Sequence, residues 1–145
     1  MERTRLHLLR HGQVEGFQEK RYNGQADVAL TDLGRDQYRR VQKRLTDCSL
    51  AAIYCSDLSR CLWGAELIGA DHGLQPQANS QLRELHIGDW EGKTWQQLMT
   101  DHPDEWQARL NDLVNHQVTG GESLLQMAER VREAVQSIVQ KHPGQ

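Results

Sequence analysis

The chain has 145 residues, 17 basic against 20 acidic side chains for a formal net charge of -3, 37% hydrophobic residues and a mean hydropathy of -0.75. That length holds one continuous core, so a single domain over residues 1–145 is expected. No basic block marks a nucleic-acid partner, and no apolar run reaches the length of a signal segment or membrane span, so a soluble cytoplasmic protein is the expectation.

Leu6-His7-Leu8-Leu9 is a short apolar run that reads as a buried strand, with Arg10, His11 and Gly12 at its exit. Open α/β sheets carry their reactive groups just past the carboxyl ends of such strands. Arg10 offers forked donors, His11 a ring nitrogen, and Gly12 room for close backbone approach. Alone, an Arg-His pair at a strand end is more often solvated surface, so its meaning depends on the rest of the chain. Residues 13–29 hold no sustained period and read as a loop.

Thr31 is the expected N-cap of a helix over about 32–46, with Leu33, Tyr38, Val41 and Leu45 recurring along it. Ala51 to Cys55 reads as a second buried strand. Ser56 or Asp57 then caps a helix with Leu58, Leu62 and Ala65 inward that ends near Gly69. A short strand is expected over 74–77, on an edge because of Pro76. The turn-rich Gly88-Asp89-Trp90-Glu91-Gly92 carries an aromatic suited to wedge against the body, and helices follow near 94–101 and 103–114, Pro103 standing at a helix start. Leu124, Ala128, Val131, Val135 and Ile138 make one apolar stripe on a helix over about 122–141.

This alternation predicts an α/β three-layer sandwich with a mostly parallel sheet. A helix so striped ordinarily crosses to a further strand, so the last strand or strands and a helix are expected beyond Gln145.

Three further places fall into position beside Arg10-His11-Gly12. Arg60, in Ser56-Asp57-Leu58-Ser59-Arg60 after the second strand, would open on the same sheet edge as Arg10, although an exposed helix arginine is the plainer account. Glu84 stands between Leu82 and Leu85, where partial burial would favour a protonated carboxyl fit to donate. Asp89 and Glu91 read as solvated turn residues, and Gly120-Gly121-Glu122-Ser123 as a helix cap. Cys48, Cys55 and Cys61 lack C-x-x-C spacing, and the seven histidines form no i, i+4 pair beside a carboxylate; free thiols and no metal site are expected.

Leu9-Arg10-His11-Gly12, Gly24 to Gly34, Ser56 to Arg60, Leu82-Arg83-Glu84, Gly88 to Gly92 and Gly121-Glu122-Ser123 occur in the order seen in the histidine phosphatase superfamily, which the chain resembles over nearly its whole length. The resemblance is to the phosphoglycerate mutase-like proteins, and within them to the small phosphatase branch that contains α-ribazole phosphatase. It implies a phosphomonoester hydrolase acting on a small phosphorylated metabolite, with α-ribazole 5'-phosphate as one candidate. Mutase-type phosphoryl transfer and a non-catalytic phosphate-binding module stand as alternatives. Under this resemblance His11 is the nucleophile that forms a phosphohistidine, Glu84 the proton donor, Arg10 and Arg60 the phosphate ligands that also favour a neutral imidazole, and Gly24 and Gln25 a substrate loop. It implies no cofactor and no metal, and leaves the oligomeric state open, a dimer included.

The chain departs from the family pattern at three points. Phe17 stands where an asparagine is common, Gly64 where a threonine is common, and the second catalytic histidine is expected beyond Gln145, His142 being a poor substitute because no apolar strand precedes it.

Overall fold

A computed structural model of the chain describes residues 3–145. Among these residues the one sheet has two parallel strands: β1 (Tyr54–Cys55) lies against β2 (Gln77–Ala78), Tyr54 opposite Gln77 and Cys55 opposite Ala78. The crossover between them is α2 (Ser59–His72), which runs past its expected end at Gly69. It stops where Gly73, at φ 65°, takes the left-handed cap position and returns its N–H to the last turn.

Helix α1 (Asp32–Leu45) begins where the sequence places it, with Thr31 Oγ1 accepting from Gly34 N at 3.0 Å. It packs on α2 through Tyr38, whose ring lies over Gly64 so closely that a Cβ on Gly64 would overlap it. The Tyr38 hydroxyl donates to Arg60 O at 3.0 Å, and its ring centroid is 5.9 Å from that of Trp63. The small residue at position 64 is therefore a packing requirement. Tyr38 joins Val14, Leu30, Leu45 and Ile68 in the first of two apolar clusters.

Leu85, Ile87, Trp90, Leu98 and Val118 form the second cluster. Trp90 is fully buried and donates from Nε1 to Glu105 at 2.7 Å, which satisfies the one polar atom of its ring. Helix α3 (Trp95–Asp101) starts at Thr94 with a reciprocal capping box to Gln97, and α4 (Pro103–Asn111) starts on the proline. Helix α5 (Leu124–Lys141) repeats the capping box with Ser123 and Gln126. Its predicted stripe is only partly covered: Ala134 is buried, Val131, Val135 and Ile138 are half-buried and Ala128 is exposed.

Arg130 fastens α5 to the body. Its guanidinium meets Glu122 at 2.9 and 2.5 Å and donates to the carbonyls of Gln81, Arg83 and Glu84 at 2.7 to 3.0 Å.

The expected opening strand does not form. Residues 3–13 have no ladder partner, and Leu6, Leu8 and Leu9 are 42%, 83% and 50% exposed. A strand exists only through its neighbours' hydrogen bonds, and none of the described segments lies alongside to supply them. The segment is held at its ends instead. Arg5 N donates to Gln145 O at 2.7 Å, Thr4 Oγ1 to His142 O at 2.7 Å, and His142 Nε2 sits 3.0 Å from the Tyr54 hydroxyl. At the other end the backbone of Gly12 and Gln13 presses on Gly34 so tightly that a Cβ on either glycine would enter the backbone of the other segment.

Gly34→Ala should therefore cost about 1–3 kcal/mol by forced separation of the two backbones, read as a lowered urea midpoint; an unchanged midpoint would show the contact to be slack. Acid should act through Glu122, whose carboxyl is held below its usual value by hydrogen bonding to Arg130. A depressed folded pKa gives stability that is present above the unfolded value near 4.5 and lost as pH falls through the folded one. The stability gap between the native chain and Glu122→Gln should shrink as pH drops below that value, and a gap that stays constant to low pH would exclude the ion pair as its source.

Candidate active site

Between the two apolar clusters runs the segment Tyr22 to Val28, its first residue packed on one and its last on the other. Four contacts fix the loop it makes. Arg60, 2% exposed, donates from its two Nη atoms to Ala26 O at 2.6 Å and Gly24 O at 2.7 Å. Asp27 accepts from the N–H and hydroxyl of Ser59 at 2.8 and 2.7 Å, and these bonds hold its carboxyl below the usual range. Gln25 donates to Glu84 O at 3.1 Å, and Gly24 (φ 47°) rests on Leu85 and Ile87 with no room for a side chain. The structure thus brings Gly24, Gln25, Arg60 and Glu84 into one neighbourhood.

Arg10 and His11 stand on a different wall. With Gly12, Gln37, Tyr38 and Val41 they line a hollow of about 230 Å³, which Arg60 and Glu84 do not line. Tyr38 links the two parts, because its ring borders this hollow while its hydroxyl holds the Arg60 carbonyl. Burial pushes the Tyr38 phenol well above its ordinary value, so it remains a neutral donor. His11 Nδ1 lies 2.8 Å from Gly12 O. A carbonyl oxygen only accepts, so in the neutral ring the proton sits on Nδ1 and the lone pair on Nε2.

The expected burial of Glu84 does not occur. Leu85 is buried, but the Glu84 side chain points outward, its carboxylate accepting from Leu85 N at 2.8 Å. Alternating faces of an extended segment send neighbouring side chains apart, so a buried Leu85 does not imply a buried carboxyl at Glu84. Phe17, at the position of the expected asparagine, is 49% exposed on a short 3-10 turn (Phe17–Glu19). His142 is bound to Tyr54 and Gln145 at the chain end.

Some site-forming residues carry no sequence signal. Asp57 and Arg83 form a forked pair at 2.6 and 2.5 Å, which depresses the Asp57 carboxyl, yet they are 26 residues apart, in two separate motifs, with no local pattern that pairs them. Gln37 in the His11 hollow lies on α1, where its exposed position suggests only solvent. Beside Glu84 a second, open hollow of about 380 Å³ has Gln25, Arg83, His86 and Arg130 on its walls and does not contain His11. Among the described residues no group of three metal-ligating side chains is assembled. Among the described residues no helix is long and apolar enough to cross a membrane.

The family model described as histidine phosphatase superfamily (branch 1) matches residues 6–145. The chain is 34% identical over 141 residues to phosphoglycerate mutase-like protein 4 of Arabidopsis thaliana, covering 95% of the chain and 61% of that protein. It is 36% identical over 143 residues to glucosyl-3-phosphoglycerate phosphatase of Mycobacterium tuberculosis, covering 99% and 64%. The crystal structure of the α-ribazole phosphatase from Shigella flexneri superposes with a TM-score of 0.84 at 28% identity, over 92% of this chain and 66% of that one. The chain therefore spans somewhat under two thirds of the length of these relatives. The α/β fold with its parallel sheet is phosphoglycerate mutase-like, and the chain belongs to the histidine phosphatase superfamily, branch 1.

Proposed function

We propose that these residues carry the nucleophilic half of a phosphomonoester hydrolase acting on a small phosphorylated metabolite. The observation that supports it most directly is the hydrogen bond between His11 Nδ1 and Gly12 O, which in the neutral ring puts the proton on Nδ1 and leaves the lone pair on Nε2, His11 lining an open hollow with Arg10. In the first step Nε2 attacks phosphorus in line, the new N–P bond forms as the ester P–O bond breaks, and the electron pair leaves with the alcohol oxygen. Glu84 is the proton donor in this reading, and its exposure leaves it free to turn toward a leaving oxygen. In the second step water takes the phosphoryl group from His11 and releases inorganic phosphate.

Arg10 and Arg60 supply positive charge where the transferred oxygens gather negative charge. Gly24 and Gln25, held by Arg60 and by the Glu84 segment, form the substrate loop. Candidate substrates are α-ribazole 5'-phosphate and glucosyl-3-phosphoglycerate, each taken from a similar protein's name. The likeness to a phosphoglycerate mutase-like protein supports a second reading, in which a second acceptor oxygen replaces water.

Phosphate release from an aryl phosphate should fall to background in His11→Ala. If the native chain releases none yet still binds phosphate, it is a non-catalytic phosphate-binding module. Isomerisation of 3-phosphoglycerate without free phosphate would instead establish the mutase reading. Glu84→Gln should slow alkyl phosphates by about 10²–10⁴ and aryl phosphates, whose leaving groups need no proton, far less; equal losses would remove Glu84 as the acid.

A further inference from the structure

We propose that the hollow beside Glu84 receives the non-reacting part of the substrate and selects a neutral polyhydroxyl group of the sugar kind over an anionic or an apolar one. This deepens the hydrolase reading and rests on it for the word substrate. The hollow begins one residue from the reacting neighbourhood, since Gln25 and Arg83 on its walls adjoin Gly24 and Glu84. Its volume of about 380 Å³ lies within the range of small-ligand sites.

The chemistry of the walls decides what fits. No aliphatic side chain and no hydrocarbon ring lines the hollow, so an apolar group would strip water from polar atoms and regain only the stems of polar side chains and glycine backbone. An anion gains little either, because the two wall arginines are already neutralised. Arg83 is matched by the forked Asp57 carboxylate, and Arg130 by Glu122 and three carbonyls.

What remains free is neutral and of both hydrogen-bonding senses. The Ser80 hydroxyl and the Gln81 amide make no side-chain hydrogen bond among the described residues, and both border the hollow. His86 Nδ1 accepts from Gly88 N at 3.2 Å, so in the neutral ring the proton is on Nε2, which becomes a donor. A hydroxyl group both donates and accepts, and a ring bearing several can pair with a hydroxyl, an amide and an imidazole N–H at once.

The test is an NMR titration of the 145-residue chain with methyl α-glucopyranoside, cyclohexanol and malonate, which are respectively neutral and polyhydroxylated, mostly apolar, and dianionic. The sugar should shift the amides of Gln81, His86 and Gly120, with cyclohexanol and malonate without effect there at the same concentration. His86→Asn keeps an acceptor for Gly88 N and removes only the outer nitrogen; it should weaken the sugar about tenfold, the loss of one well-made hydrogen bond. Ser80→Ala, on an exposed turn, provides a second reading if His86→Asn perturbs the fold. Shifts from malonate or cyclohexanol at equal strength, or sugar affinity unchanged in both variants, would overturn the proposal. Release of phosphate from an aryl phosphate, lost in His11→Ala, reports separately on the hydrolase reading, so the two fail independently.

Discussion

The placement of His11 depends on one backbone contact, the approach of Gly12 and Gln13 to Gly34 at the first turn of α1. Residues 3–13 have no ladder to fix their height or twist. Their position is set instead by this contact and by the bonds around it: Thr31 N to Gln13 O at 3.0 Å, Gln13 N to the Gln37 amide at 2.8 Å, and Glu15 N to Ala29 O at 2.9 Å. Two glycines 22 residues apart are thus parts of one joint. Either methyl group would push the histidine loop off the helix and shift Nε2 by a distance that matters for the in-line attack proposed for it.

Tyr38 carries that joint into the body. It borders the His11 hollow with its ring, fills the notch left by Gly64, and ends on the carbonyl of Arg60. A chain of contacts therefore runs from Gly12 through α1 and α2 to the arginine that holds the Gly24–Asp27 loop, and from Gln25 on to the Glu84 segment. His11 and Glu84 line no common hollow. They are registered by a packed ring and a buried guanidinium, which have few alternative positions.

Local chemistry was legible in the sequence wherever a few consecutive residues decide the outcome. Thr31, Pro103 and Ser123 start helices where their side chains and missing donors require it, and Trp90 wedges inward as its bulk demands. The opening strand was misread because an apolar run states a preference for burial, while a ladder needs a partner that the run cannot name. Glu84 was misread because the burial of Leu85 was carried across to a residue on the opposite face. Pairs such as Asp57 with Arg83 were invisible, since nothing short of the folded loop brings positions 57 and 83 together. The ordered family motifs carried the family assignment further than periodicity did, as they encode such long-range meetings without stating their geometry.

Three arginines gather around the loop and its neighbours, and their partners divide them. Arg83 and Arg130 each face a carboxylate, so their charge is cancelled close by. Arg60 is held by two carbonyl oxygens, and among the described residues no carboxylate lies within ion-pair distance of it. Carbonyl dipoles satisfy its donors without removing its unit charge. In a buried place that charge is screened less than on the surface, so the field it sends toward the hollows is larger than that of either paired arginine. A phosphoryl group carries charge that must be met and a sugar carries none. The unpaired Arg60 and Arg10 thus suit the reacting end of a phosphomonoester, while the paired Arg83 and Arg130 suit the end that does not react.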